Sequence, residues 1–137
     1  MSMSEVNFAL QTSIFAVALV SMAFRFKGNY LAHGITMIAA VAAVFVVFGI
    51  ASPTFLDTTY TQKLTNPTLN VAIFGTHAFL GIATAISGLW LVALWRPHST
   101  TFPDKSKTPA KIVTVLWTLA YVVGIVLFLT LNTTLFV

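Results

Sequence analysis

Histidine is the residue type here that could ligate a metal or haem and also move a proton near neutral pH, and it occurs three times: His33, His77 and His98. Cysteine is absent, which excludes thiolate metal sites, disulfides and cysteine nucleophiles. Glu5, Asp57 and Asp104 are the only acids. His77 raises the sharpest question, because it sits inside "NVAIFGTHAFLGIATAISGLWLVALWR", residues 70–96, a stretch apolar enough to cross a bilayer. An ionisable residue within such a segment is a functional candidate by default.

Around His77 the polar and small residues form a stripe. Asn70, Phe74, His77, Gly81, Thr84 and Gly88 recur at helical spacing, while Ile73, Leu80, Ile82, Leu89, Leu91 and Leu94 cover much of the rest. Small residues let helices approach closely where lipid supplies no hydrophobic drive, so this face is expected to point into a bundle or at a partner. Asn7 and Gln11 share a face of an earlier apolar segment. His77 is expected either to tie helices together through one of these amides or a threonine hydroxyl, or to serve as a ligand or proton carrier. Trp117, Tyr121, Gly124 and Phe128 form a second face, whose indole N–H and phenol need partners if buried.

The elements that must position these residues follow from composition. Of 137 residues 58% are hydrophobic and 7% charged, and the mean hydropathy is +0.92, against roughly a quarter charged in a soluble domain. A helix needs about 20 apolar residues to span a bilayer, and four segments qualify: about 6–24, 30–51, 70–95 and 111–131. The expected fold is all-α, an integral membrane four-helix bundle forming one domain over residues 1–137, in a multi-pass cell-membrane protein. The first span lacks the basic flank and cleavage site of a signal peptide and is expected to stay.

Arg25, Lys27, Arg96, Lys105, Lys107 and Lys111 lie in or beside the first and third loops, whereas the second has Lys63 balanced by Asp57. The positive-inside rule then places both termini on the outer side. The net charge of +4 comes from loop cations that form no basic face, so nucleic acid is not an expected partner; membrane lipids and other integral membrane subunits are.

This topology gives each histidine a depth. At 1.5 Å per residue His77 lies about 28 Å from the Arg96 end of its helix and His33 about 9 Å in from Lys27, a separation of roughly 19 Å along the membrane normal. Two imidazoles on one haem iron need nitrogens about 4 Å apart, so His33 and His77 are not expected to share one. His98 is nearer to His33 in depth, and Met37, one turn below His33, could add a thioether or simply fill a helix interface. The candidate metal ligands are therefore His33, His77 and His98, with copper or haem b as the cofactors they would suit; the expectation is that this chain alone binds neither. No phosphate loop, zinc-protease motif or nucleophile elbow is present, no carboxylates pair within a span, and no catalytic residue is assigned.

The combination of Lys27, His33 and Met37 at the start of the second span, His77 and Gly81 with "WLVALWR" in the third, and "KIVTVLWTLAYVVGIVLFL" in the fourth resembles a family of small four-span membrane proteins of largely unknown function. One branch of that family is needed to mature a haem–copper cytochrome oxidase. The resemblance covers about residues 20–131 and implies that His33, His77, Trp117 and Tyr121 are family positions. Two departures stand out: "VVFGIASP" has no titratable group where the family tends to carry a Tyr and a His, and "DKSKTPAK" has only lysines where the family includes a histidine. A family metal site that needed those histidines would be incomplete here. The expected function is a non-catalytic accessory subunit or assembly factor of a larger membrane metalloenzyme, a haem–copper oxidase or copper monooxygenase. The alternative is a small b-type haem electron-transfer protein using His33 with His98, or one histidine with a partner's group.

Overall fold

Between the first two long helices only three residues turn the chain around, and their chemistry explains how. Gly28 adopts φ +75°, the left-handed conformation that glycine enters without a Cβ penalty. Its N–H donates to the Arg25 carbonyl at 3.0 Å and the Asn29 N–H to the Phe24 carbonyl at 2.9 Å, the paired bonds of a Schellman ending. Asn29 then starts the next helix: its Oδ1 accepts from the Ala32 N–H at 3.1 Å, as an N-cap does.

The computed structural model describes residues 3–56, 67–95 and 105–132. Within them the chain forms α1 (Met3–Phe26), α2 (Tyr30–Leu56), α3 (Pro67–Leu94) and α4 (Lys107–Asn132). All four are long and apolar enough to cross a membrane, over Glu5–Phe26, Tyr30–Ile50, Val71–Leu94 and Lys107–Asn132. At most 22% of the residues in any of these windows are buried within the chain. Their large side chains, Phe26, Phe79 and Ile86 among them, face outward, an arrangement compatible with contact to lipid.

The helices run longer than the apolar runs that signal them. α4 starts at Lys107 rather than near 111 because Pro109 falls in its first turn, where a missing N–H costs no helical bond. α3 starts on Pro67, a residue whose fixed φ suits the first helical position. α2 continues past Ala51 through Pro53 to Leu56, five residues beyond its expected end. A proline biases the residue before it away from the helical region without forbidding it.

α1 packs along α2, and α3 along α4, far more extensively than the two hairpins pack on each other through α1–α4 and α2–α3. The sparser contacts still fix a register. On the α2–α3 side a Cβ on Gly34 would lie 2.5 Å from the Trp95 indole, and one on Gly88 would lie 3.0 Å from Val41 Cγ2. On the α1–α4 side Phe8 stacks on Phe128 and Phe15 on Tyr121, each with centroids 4.3 Å apart. Both sets of pairs are antiparallel, so the four helices form an up-and-down ring. Ile14, Ala40, Val41, Val47, Val113 and Trp117 form its core.

Hydroxyls survive on such apolar helices by bonding to their own backbone one turn back. Ser13, Thr114, Thr118 and Thr130 are exposed or partly so, and each donates to the carbonyl four residues earlier, at 2.7–2.9 Å.

Candidate functional site: a histidine-lined cavity between the hairpins

Towards the end of the bundle that carries the α1 N-terminus and the α4 C-terminus, the four helices part around a cavity of about 240 Å³. α1 contributes Gln11 and Ile14, α2 Val44, Val47 and Phe48, α3 Phe74, His77, Ala78, Gly81 and Thr84, and α4 Trp117, Ala120 and Tyr121. No charged side chain is among them. The walls are mostly apolar, with a few polar groups at defined points, the usual character of a small-molecule site.

Each polar group is positioned by a specific bond. His77 Nδ1 lies 3.0 Å from the Ala120 carbonyl oxygen. A carbonyl only accepts, so Nδ1 carries the hydrogen, and in the neutral ring Nε2 is left as an acceptor. Tyr121 donates its phenolic hydrogen to Thr12 Oγ1 at 3.1 Å, and Thr12 passes its own to the Phe8 carbonyl at 2.8 Å. Thr84, buried, donates to the Leu80 carbonyl at 2.7 Å. Gln11 Nε2 donates to Asn7 Oδ1 at 3.3 Å.

Gly124 makes room for this arrangement. A Cβ there would fall 2.9 Å from His77 Cε1, 3.3 Å from Nδ1 and 3.4 Å from Gln11 Oε1. The imidazole and the Gln11 carbonyl oxygen thus gather over the bare backbone of α4.

The second histidine belongs to a separate cluster inside the α1–α2 hairpin. His33 Nδ1 lies 3.0 Å from the Ser21 carbonyl oxygen and 2.8 Å from Ser21 Oγ, and Ser21 Oγ donates back to the His33 carbonyl at 3.0 Å. Thr36 Oγ1 closes the group 2.7 Å from Ser21 Oγ. Ser21 is fully buried, and Met37 packs against the apolar core.

Of the faces read from the sequence, Phe74, His77, Gly81 and Thr84 of the stripe come together at the cavity with Gln11, Trp117 and Tyr121, and Gly124 lies directly beneath the His77 ring. Gly88 is on the same face of α3 but serves α2–α3 packing against Val41. Asn70 falls in the first turn of α3, its side chain outside the described residues, as is the whole of His98. His33 and His77 do not meet. Gly34, beside His33, packs on Trp95, eighteen residues beyond His77, which is about 27 Å of helix.

One expectation is corrected. His77 is tied to a backbone carbonyl of α4, whereas the reading in which it ties helices together expected a side-chain amide or threonine hydroxyl as its partner. The amide nitrogen of Gln11 is engaged by Asn7, and the hydroxyl of Thr84 by Leu80. Ser21, Thr36 and Thr12 were not singled out from the sequence. A signal for Ser21 exists: a tight hairpin centred near Gly28 pairs residues roughly equidistant from the turn, which sets Ser21 opposite the segment around His33 and Thr36.

No protein-family model matches this chain, and no curated protein or solved structure matches it either.

Proposed function

We propose that this chain is a multi-pass membrane protein acting as a non-catalytic accessory subunit or assembly factor of a larger membrane metalloenzyme, of the haem–copper oxidase or copper monooxygenase kind. The observation that carries this reading is how the two span histidines are held. Each commits Nδ1–H to a backbone carbonyl of the other helix in its hairpin, His33 to Ser21 and His77 to Ala120. Within this chain they act as clamps. Nε2 of each is left over, the arrangement that a backbone carbonyl imposes on a metal-bound imidazole.

Among the described residues no three His, Cys, Asp or Glu come together. A metal at either histidine would therefore draw its remaining ligands from a second chain. The resemblance of the His33, His77 and Trp117–Tyr121 positions to a family with an oxidase-maturation branch supports the choice of partner class.

The cations of the described residues, Arg25, Lys27, Lys105, Lys107 and Lys111, all belong to the end formed by the α1–α2 turn and the start of α4. We place this end in the cytoplasm and both termini outside.

The test is purification of the tagged protein from its native membranes in mild detergent, with co-purifying chains identified and their stoichiometry measured by mass spectrometry. A fixed ratio to the subunits of one metalloenzyme, or to its unassembled intermediates, is expected. Recovery of the chain alone, together with an unimpaired enzyme in a deletion strain, would remove the proposal.

A further inference from the structure

The clamping of His77 has a chemical consequence for the cavity beside it. Three of the hydrogens that could have pointed into that space are already used: Nδ1–H of His77 on Ala120, the hydroxyl of Tyr121 on Thr12, and that of Thr84 on Leu80. Three groups on lining residues stay without a partner among the described residues, the acceptors Nε2 of His77 and Oε1 of Gln11 and the donor N–H of Trp117. Leaving such groups unpaired between apolar helices is costly, and a ligand that pairs them recovers that cost.

A hydroxyl suits this set, because it donates to an acceptor such as His77 Nε2 and can itself accept. The remaining walls ask for an apolar, flat body, since Phe48, Phe74 and Trp117 are aromatic. A cavity of about 240 Å³ has room for one substituted six-membered ring.

We propose that the cavity between the hairpins is a binding site for a phenolic ring, whose hydroxyl donates to His77 Nε2. Free phenols and the headgroups of membrane hydroquinones share this chemistry. The site is independent of whichever enzyme the chain accompanies.

Gly81 supplies the blocking variant. It lines the cavity one turn from His77, and a Cβ there would meet nothing within 4 Å, so Gly81→Leu extends into empty space without displacing backbone.

The experiment uses the full chain in lipid nanodiscs, labelled with ¹⁵N-histidine and titrated with 4-methylphenol, 4-methylanisole or toluene. The expected result is a saturable displacement of the His77 Nε2 resonance by 4-methylphenol, with His33 unmoved. 4-Methylanisole, which accepts but cannot donate, should bind about tenfold more weakly, as loss of one hydrogen bond requires. The Gly81→Leu protein should lose the response. Equal responses to all three probes, or a response in which His33 moves with His77, would overturn the proposal, and this comparison needs no variant. Persistence of the response in a folded Gly81→Leu protein would overturn it as well. A decyl-chained hydroquinone separates the two sources: a site for membrane quinols gives the same His77 displacement, and a site for free phenols responds to 4-methylphenol alone.

Discussion

His77 of α3 and Ala120 of α4 are joined by a 3.0 Å bond from the imidazole Nδ1–H to the backbone carbonyl, a tie between the two helices of one hairpin. The Ala120 carbonyl also lies within α4, so removing the ring does not leave a buried acceptor stranded. Replacement His77→Leu should therefore cost only the interhelical bond, about 0.6–2 kcal/mol in a membrane bundle. Unfolding of the reconstituted protein in SDS measures it, and an unchanged midpoint would show that the bond contributes nothing.

Two glycines, Gly124 against the His77 ring and Gly81 in the cavity wall, should respond differently to a single methyl group. Gly124→Ala drives a Cβ to 2.9 Å from His77 Cε1 and should displace the ring, at a cost of about 1–3 kcal/mol. Gly81→Ala meets open space and should be neutral or stabilising by up to about 1 kcal/mol through helix propensity. The same denaturation assay compares them; equal effects would contradict the close approach at Gly124.

The Ser21 cluster should behave as a unit. Ser21→Ala removes a fully buried hydroxyl that bonds to the His33 carbonyl and stands beside Thr36 Oγ1. A double-mutant cycle of Ser21→Ala with Thr36→Val should give a coupling of about 0.5–3 kcal/mol. Strict additivity of the two losses would mean that the hydroxyls act separately.

Orientation can be read by chemistry the chain lacks, because it has no cysteine and each single-cysteine variant carries one label. Lys27→Cys and Lys105→Cys should react with a membrane-impermeant maleimide only after lysis, and Glu5→Cys in intact cells. The reverse pattern would invert the bundle.

The four helices were legible because each carries an apolar run of spanning length, and their ends were not, because Pro109 and Pro53 are compatible with a helix in ways that depend on position within it. The cavity was half legible. Helical spacing put His77, Gly81 and Thr84 on one face and Trp117 and Tyr121 on another, and it grouped Gln11 with Asn7. What spacing could not supply was the register between helices. The close pairs that set it, Gly34 on Trp95 and Gly88 on Val41, depend on which small residue meets which large one across helices that are apolar on every side. Nor does a sequence display backbone carbonyls, so the Ala120 carbonyl that holds His77 was invisible at that level, whereas the tight turn at Gly28 could have pointed to Ser21 opposite His33.

The unequal packing of the ring gives it a hinge line. α1 with α2 and α3 with α4 form two closely packed leaves, while the seam between them is thinner and holds the cavity towards one end. Widening the cavity spends only the few contacts across that seam and leaves the turn at Gly28, the Ser21 cluster and the His77 clamp intact. Separating the leaves along that one line needs no loosening inside either of them.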